Sequence, residues 1–155
     1  KEIIDDYKYI DNLGTYLKKI KTNDDLIFIS FYMDNSVPSD PRYIQLLSDL
    51  GLSTDFTGIS GMNYIAVLNN GKVLIEDTCE ANMIYENKIN NTNYSFESKK
   101  EYTTSLIHNC SITINGSECS MNRPGINIVV VDKESDEVLD TVCFNSGSYC
   151  FRPPL

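Results

Sequence analysis

The strongest pattern in the chain lies in its last third, where apolar residues run almost without interruption from Ile126 to Val131. A polar turn separates this run from a second apolar stretch over 138–144, so the pattern predicts a β-hairpin. Since a half-exposed strand alternates apolar with polar residues, the continuous run indicates a strand that is buried on both faces. Few residues follow the hairpin, and we therefore expect its cover to come from earlier in the chain or from another molecule.

The N-terminal third predicts two helices around one strand. Apolar residues recur at helical spacing over 5–19 and predict the first helix. An apolar run rich in β-formers over 26–33 predicts a buried strand. The second helix is expected to begin after Asp40, with Pro41 as its first residue, and to end at Gly51.

Further β-structure is predicted in the middle of the chain. The segments 64–68 and 72–76 flank an Asn-Gly turn, which adopts positive φ readily and predicts a hairpin. The segment 110–115 alternates like a half-buried strand. Between them, residues 80–105 are polar with little periodicity, and we interpret this stretch as an exposed connection.

These elements predict an α+β fold: mostly antiparallel sheets packed as a compact, sandwich-like core, two or three flanking helices, and disulfide links. The length of 155 residues fits one domain over 1–155. In that domain the segments 1–79 and 106–150 are expected to form the core.

Charge and hydropathy narrow the classes of partner. The net charge of −9 argues against nucleic acid and anionic membrane surfaces, because both require clustered Lys and Arg. No apolar run approaches the length of a membrane span. The first residues lack the basic and apolar regions of a signal peptide, so we read the chain as a processed product or a segment of a longer protein.

Four N-glycosylation sequons lie close together between positions 90 and 117. Several such triplets interleaved with cysteines are typical of a protein that passes through the secretory pathway, although an Asn-rich chain also produces some by chance. We therefore predict a secreted or extracellular location. The acceptor residues are Asn90, Asn93, Asn109 and Asn115.

The five cysteines favour disulfides over a metal site. They form no CxxC pair and no Cys/His cluster, which argues against zinc. Disulfides fit an oxidising compartment. Local bridges between Cys110 and Cys119 and between Cys143 and Cys150 are one arrangement. Because the count is odd, one cysteine stays free or pairs with another chain. The five are Cys79, Cys110, Cys119, Cys143 and Cys150.

No residue pattern predicts catalysis. His108 is the single histidine and lies beside a sequon, so we interpret it as a surface residue. The common hydrolase, nucleotide-binding and dinucleotide-binding motifs are missing from the sequence. Adjacent acidic pairs are expected in a chain with 22 Asp and Glu residues, so we interpret them as solvated surface. We predict neither an enzyme nor a bound cofactor.

Two parts of the chain resemble the ILEI (interleukin-like EMT inducer) domain family of cytokine-like proteins. The hairpin Gly125-Ile-Asn-Ile-Val-Val-Val-Asp132 with Val138-Leu-Asp-Thr-Val-Cys-Phe144 is similar to the opening of that domain. The strand Asp25-Leu-Ile-Phe-Ile-Ser-Phe-Tyr-Met-Asp34, followed by Leu46-Leu-Ser-Asp-Leu-Gly51, is similar to the family's strand and "LFSDLGS" helix. The order is permuted, since the family places this hairpin first. Either the domain is circularly permuted, or the hairpin completes a neighbouring copy.

The resemblance implies an extracellular α+β domain that binds rather than catalyses. The leading hypothesis is a secreted, glycosylated recognition or assembly module whose partner is another protein or a copy of itself. In one version of it, the module polymerises through the C-terminal hairpin. The alternative is a carbohydrate-binding module, because some relatives bind glycans. Asp34, Tyr32 and Tyr64 are its candidate ligand-binding residues, although the family's Arg-Asp-Ser-Trp element is replaced here by Ser60-Gly-Met-Asn-Tyr64.

Overall fold

The chain folds into three layers, with two helices on one face of a six-stranded sheet and a four-stranded sheet on the other. The computed structural model describes residues 7–32, 37–58, 62–79, 82–102, 106–145 and 149–153. Its helices are α1 (Leu13–Lys21) and α2 (Pro41–Asp49). Its strands are β1 (Leu26–Tyr32), β2 (Asn63–Asn69), β3 (Lys72–Cys79), β4 (Met83–Ile89), β5 (Thr92–Tyr102), β6 (Leu106–Ile114), β7 (Ser117–Glu118), β8 (Gly125–Val131), β9 (Val138–Phe144) and β10 (Cys150–Phe151).

The two helices begin at side-chain caps. Asp40 accepts the backbone N–H of Arg42 at 2.9 Å, and α2 therefore begins at the predicted proline. The first helix begins later than predicted. Asn12 accepts the N–H of Thr15 at 3.0 Å, so α1 starts at 13, and residues 7–9 form a separate 3₁₀ turn. The part of the predicted helix before residue 7 lies outside the described residues.

The larger sheet has the order β10-β9-β8-β1-β2-β3, and all its neighbouring strands are antiparallel. The predicted hairpin is formed by β8 and β9. It lies beside β1 of its own chain, with Leu26 opposite Val131 and Tyr32 opposite Gly125. Strands distant in sequence thus occupy the centre of the sheet, and the other predicted hairpin, β2 and β3, completes one side.

Each face of the larger sheet supports a separate hydrophobic cluster. Ile126, Ile128 and Val130 point towards the helices, while Val129 and Val131 point towards the second sheet. Both sets are fully or almost fully buried. The continuous apolar run of β8 is explained by this position, because a central strand between two covering layers needs apolar residues on both faces.

The stretch 80–105, predicted as an exposed connection, instead contributes β4 and β5 to the second sheet, whose order is β4-β5-β6-β7. Tyr94 and Phe96 are buried, and their rings lie 5.0 and 6.3 Å from that of Phe28. The prediction was wrong because these strands are apolar on one face only. In β5, Tyr94 and Phe96 alternate with polar residues, but this alternation is too short to predict a strand from the sequence.

The predicted disulfide links are not formed among the four cysteines whose side chains the structure describes. Cys143 lies opposite Phe151, and Cys150 lies opposite Phe144. Since neighbouring residues of a strand point to opposite faces, Cys143 and Cys150 lie on opposite sides of the sheet. Cys119 donates its N–H to the carbonyl of Ile112, two residues from Cys110, so those two cysteines do not face each other. The antiparallel α+β part of the predicted fold is confirmed.

Candidate functional site

Three of the sequon asparagines lie together at one end of the second sheet, and we call Asn90, Asn93 and Asn115 the sequon surface. Asn90 lies in the β4–β5 turn with φ of 53°, and Asn115 lies in the β6–β7 turn with φ of 49°. Asn93 is the second residue of β5. All three are exposed. Asparagine tolerates the left-handed conformation better than most residues, which explains its use in both turns.

Backbone and side-chain hydrogen bonds join two of these asparagines. The N–H of Asn115 donates to the carbonyl of Asn93 at 2.7 Å, and the N–H of Asn93 donates to Oδ1 of Asn115 at 2.8 Å. The side-chain bond uses the oxygen of Asn115, whereas a glycan is attached to the side-chain nitrogen. The contact therefore stabilises the turn, and the side-chain nitrogen of Asn115, to which a glycan would attach, takes no part in this hydrogen bond.

The hydroxyl residues of the three sequons differ in their surroundings. Thr92, which completes the Asn90 sequon, is fully buried and donates its hydroxyl to the carboxylate of Asp136. Ser117, which completes the Asn115 sequon, is exposed, and Ser95 is half-buried. Since the hydroxyl is part of the sequon, a glycan on Asn90 has to be added before Thr92 is buried by folding.

A shallow cavity of about 240 Å³ adjoins the sequon surface. Residues of three strands line it, among them Asn87, Asn93, Tyr94 and Thr113. Tyr94 is buried, and burial next to Tyr85 raises its pKa to about 12. The cavity therefore offers amide and hydroxyl groups together with one acidic side chain, that of Glu86.

The fourth sequon and two of the predicted ligand-binding residues cannot be added to this geometry. Asn109 lies in β6 opposite Lys99, and its side chain is outside the described residues. Asp34 is also outside them, and Tyr32 is described only as the last residue of β1. The side chain of His108 is likewise outside the described part of the chain.

Tyr64, the third predicted ligand-binding residue, is a core residue. It is 1% exposed, its ring stacks on that of Phe31 with a centroid separation of 4.7 Å, and its hydroxyl donates to Glu76 at 2.8 Å. Burial and the Glu76 carboxylate raise the pKa of Tyr64 well above its usual range. In this position the ring has no free face on which a sugar ring can stack.

Glu76 is the centre of a polar contact that the sequence pattern did not indicate. Besides the hydroxyl of Tyr64, it accepts the N–H and hydroxyl of Ser53 at 2.9 and 3.0 Å and the N–H of Thr54 at 3.1 Å. Burial opposes ionisation, but these donors outweigh it and lower the pKa of Glu76. The contact holds the loop after α2 against β3, so its role is structural.

A second polar network joins the two ends of the described chain. Arg152 donates to both carboxylate oxygens of Asp140 at 2.9 Å, and to the carbonyls of Tyr7 and Ile10 at 2.8 and 2.9 Å. Tyr16 donates its hydroxyl to the same carboxylate at 2.7 Å. The bonds to Tyr7, Ile10 and Tyr16 join residues more than 100 positions apart, so no local pattern indicates them.

Three of the thiols that the structure describes have raised pKa values, which is the opposite of chemical activation. Burial raises the pKa of Cys110 to about 12, and it also raises the pKa values of Cys119 and Cys150. Because the thiolate is the nucleophile and metal ligand, these cysteines are poor candidates for either role. Among the described residues, no group of three or more His, Cys, Asp and Glu side chains is arranged to hold a metal ion.

Comparison with known proteins finds no match for this chain among protein-family models, curated proteins or solved structures. Within the described ranges, neither helix is long and apolar enough to cross a lipid bilayer. The functional proposal therefore rests on the geometry of the chain itself.

Proposed function

We propose that the chain is a secreted, N-glycosylated, non-enzymatic recognition or assembly module of an extracellular or cell-surface protein. The observation that carries this proposal is the exposure of Asn90, Asn93 and Asn115 at one end of the second sheet. Glycans at these positions would cover a polar part of the surface. The described acceptor sites expose no large apolar side chain that a glycan would have to cover.

The layer order supports a recognition role. The helices cover the opposite face of the larger sheet from the one that packs on the second sheet. Glycans confined to the second sheet would therefore leave the helical layer free, and Ile44 of α2 is 38% exposed there. A protein partner is the class of ligand that such a surface fits.

The ILEI-like relationship remains part of the proposal, in its permuted form. The hairpin that resembles the family's opening element pairs with β1, within the other segment that carries the resemblance. Assembly through the hairpin would require two copies to exchange it, because its place beside β1 is filled by its own chain. Carbohydrate binding is not proposed, since Tyr64 is buried.

The proposal is tested by expressing the chain behind a secretion signal and measuring its mass before and after enzymatic release of N-glycans. We expect secreted protein with heterogeneous added mass, reduced stepwise by Asn93→Gln and Asn115→Gln. Ser117→Ala should remove the same glycan as Asn115→Gln while keeping the asparagine, which makes it a matched control. Secreted protein that carries only the polypeptide mass would refute the glycosylated module.

A further inference from the structure

Strand β4 is the longest regular free edge in the described part of the fold. It contains seven residues, has no proline, and pairs with β5 without a register shift. The other free edges are shorter or interrupted. β7 and β10 have two residues each, and β3 pairs with β2 through a bulge between Val67 and Leu68. A long, regular edge is a template for pairing with another strand.

Hydrogen bonds within the second sheet show which backbone groups of β4 point outwards. Both the N–H and the carbonyl of Asn93 are bonded to Asn115, on the side away from β4. Lys88, which lies opposite Asn93, is therefore in a non-hydrogen-bonded pair, and its own N–H and carbonyl face the free edge. By alternation along the strand, the same holds for Glu86 and Ile84.

The edge is only lightly protected. The Lys88 N–H faces the free edge and donates to Oδ1 of its neighbour Asn87 at 2.8 Å. The side chains of Ile84, Glu86 and Lys88 are exposed, and Ile84 is 68% accessible. Rotation of the Asn87 side chain would release the Lys88 N–H for a bond to another strand.

Charge selects both the partner and the register. We propose that β4 pairs antiparallel with β4 of a second copy of the chain, around a two-fold axis at Asn87. In this register Glu86 of each copy lies opposite Lys88 of the other, so two opposite-charge pairs form. Two other two-fold registers would also use the outward N–H and carbonyl groups of β4, with the axis at Glu86 or at Lys88. They place Glu86 opposite Glu86 or Lys88 opposite Lys88, and like charges at facing positions are unfavourable.

The inner face of the same pairing is apolar. Tyr85 would lie opposite Ile89, and both side chains already pack partly against the cluster between the sheets. The two four-stranded sheets would then form one continuous sheet through the dimer. This inference does not depend on glycosylation, since it rests on backbone direction and on the charges of two residues.

The test is sedimentation equilibrium on the full chain after removal of any N-glycans, at concentrations up to about 1 mM, because weak dimers have Kd values in this range. We expect dimers that Lys88→Glu and Glu86→Lys each weaken at least roughly tenfold. The double variant Glu86→Lys with Lys88→Glu should restore the wild-type Kd to within about threefold, because it re-forms both pairs with reversed signs.

Lys72→Glu on β3 provides the matched control, since it makes the same charge change on an exposed residue of the other sheet. It should leave the Kd close to that of the wild type. Amide hydrogen exchange at Glu86 should also slow as the protein concentration rises. A chain that stays monomeric throughout, a dimer indifferent to Lys88→Glu, or an equal loss in Lys72→Glu would overturn the inference. A dimer formed by hairpin exchange would be indifferent to Lys88→Glu.

Discussion

Asp140 shows how a single buried charge ties together distant parts of the chain. Its side chain is 3% exposed, and its carboxylate accepts bonds from both Arg152 and Tyr16. A buried carboxylate without such donors would cost several kcal/mol. The C-terminal residues are therefore held next to the 3₁₀ turn over 7–9 by the need to satisfy this charge.

Replacing Arg152 tests this account. Arg152→Met keeps much of the side-chain volume but leaves Asp140 buried without its cation, so we expect a loss of about 3 kcal/mol in the free energy of unfolding. Urea denaturation measures it. Arg42→Met is the control, because Arg42 forms an exposed ion pair with Asp40, and it should leave the midpoint nearly unchanged. Equal losses in the two variants would contradict a special role for Arg152.

Glu76 predicts a pH-dependent contribution to stability. Its pKa is lower in the folded chain than in the unfolded chain, so folding favours its ionised form. The contribution is fully present above the unfolded pKa, near pH 4.3, and is lost as the pH falls through the folded value. Glu76→Gln should cost about 1 kcal/mol at pH 7, a modest figure because solvent reaches part of the carboxylate.

The measurement is urea denaturation of wild type and Glu76→Gln at several pH values. The difference between the two should narrow below about pH 4, since protonation removes the charge that the substitution removes. Asp49→Asn, on the exposed surface of α2, serves as a carboxylate control. A gap between wild type and Glu76→Gln that stays constant down to pH 2 would be evidence against an ionised Glu76 in the folded chain.

At the scale of elements, β5 is the strand that was wrongly predicted from the sequence as part of an exposed connection. Phe96 is fully buried against β1, although its strand lies in a polar stretch. We expect Phe96→Ala to cost about 3–4 kcal/mol, because it removes a large side chain from the core between the sheets. Ile84→Ala on neighbouring β4, measured under monomeric conditions, should be close to neutral. Similar small effects for both would mean that 80–105 is a loose connection after all.

The hairpin of β8 and β9 depends on a glycine where it begins. Gly125 has φ of +122°, and a Cβ there would lie 2.5 Å from the carbonyl oxygen of Phe144. Gly125→Ala should therefore destabilise the chain by more than about 2 kcal/mol, since the backbone itself has to move. Gly71→Ala is the control, because Gly71 has a positive φ of +75° but open space around it. Its cost should be about 1 kcal/mol. Thermal unfolding compares the two, and equal shifts in Tm would exclude the clash with Phe144.

At the scale of the whole molecule, the hairpin comes late in the chain but lies beside β1, the first strand, in the larger sheet. The contacts of Arg152 with Tyr7 and Ile10 bring the ends of the described chain together. A circular permutant that begins at Met121, with the old ends joined by a short Gly/Ser linker, would place the hairpin first. We expect it to fold cooperatively, with a Tm within about 10 °C of the wild type.

Circular dichroism during heating measures this outcome. The control permutant begins at Ile29, inside β1, and should fail to fold because the cut divides the central strand of the larger sheet. If the Met121 permutant also fails, the order of the elements matters beyond their contacts. The permuted form of the ILEI-like proposal would then lose its physical basis.

The predictable elements are those whose signal is local. The cap at Asp40, the Asn-Gly turn before Lys72 and the apolar run of β8 each act within a few residues, and each element formed as expected. The start of α1 was misplaced because Asn12 caps it after an apolar stretch that continues the same period. Of the site residues, the exposed positions of Asn90, Asn93 and Asn115 agree with their polar surroundings.

The sequence by itself determined that β8 must be covered on both faces, because the run from Ile126 to Val131, interrupted only by Asn127, places apolar residues on both sides of the strand. Only the tertiary structure decided what covers it. The helices lie on one face and the sheet of β4 to β7 on the other, with β1 of the same chain as its neighbour. The physical reason is that the polarity of each residue determines whether it tends to be buried. Which element covers it depends on contacts between residues far apart in the chain. Tyr64 and Asp140 illustrate the same limit, since their burial depends on Glu76 and Arg152.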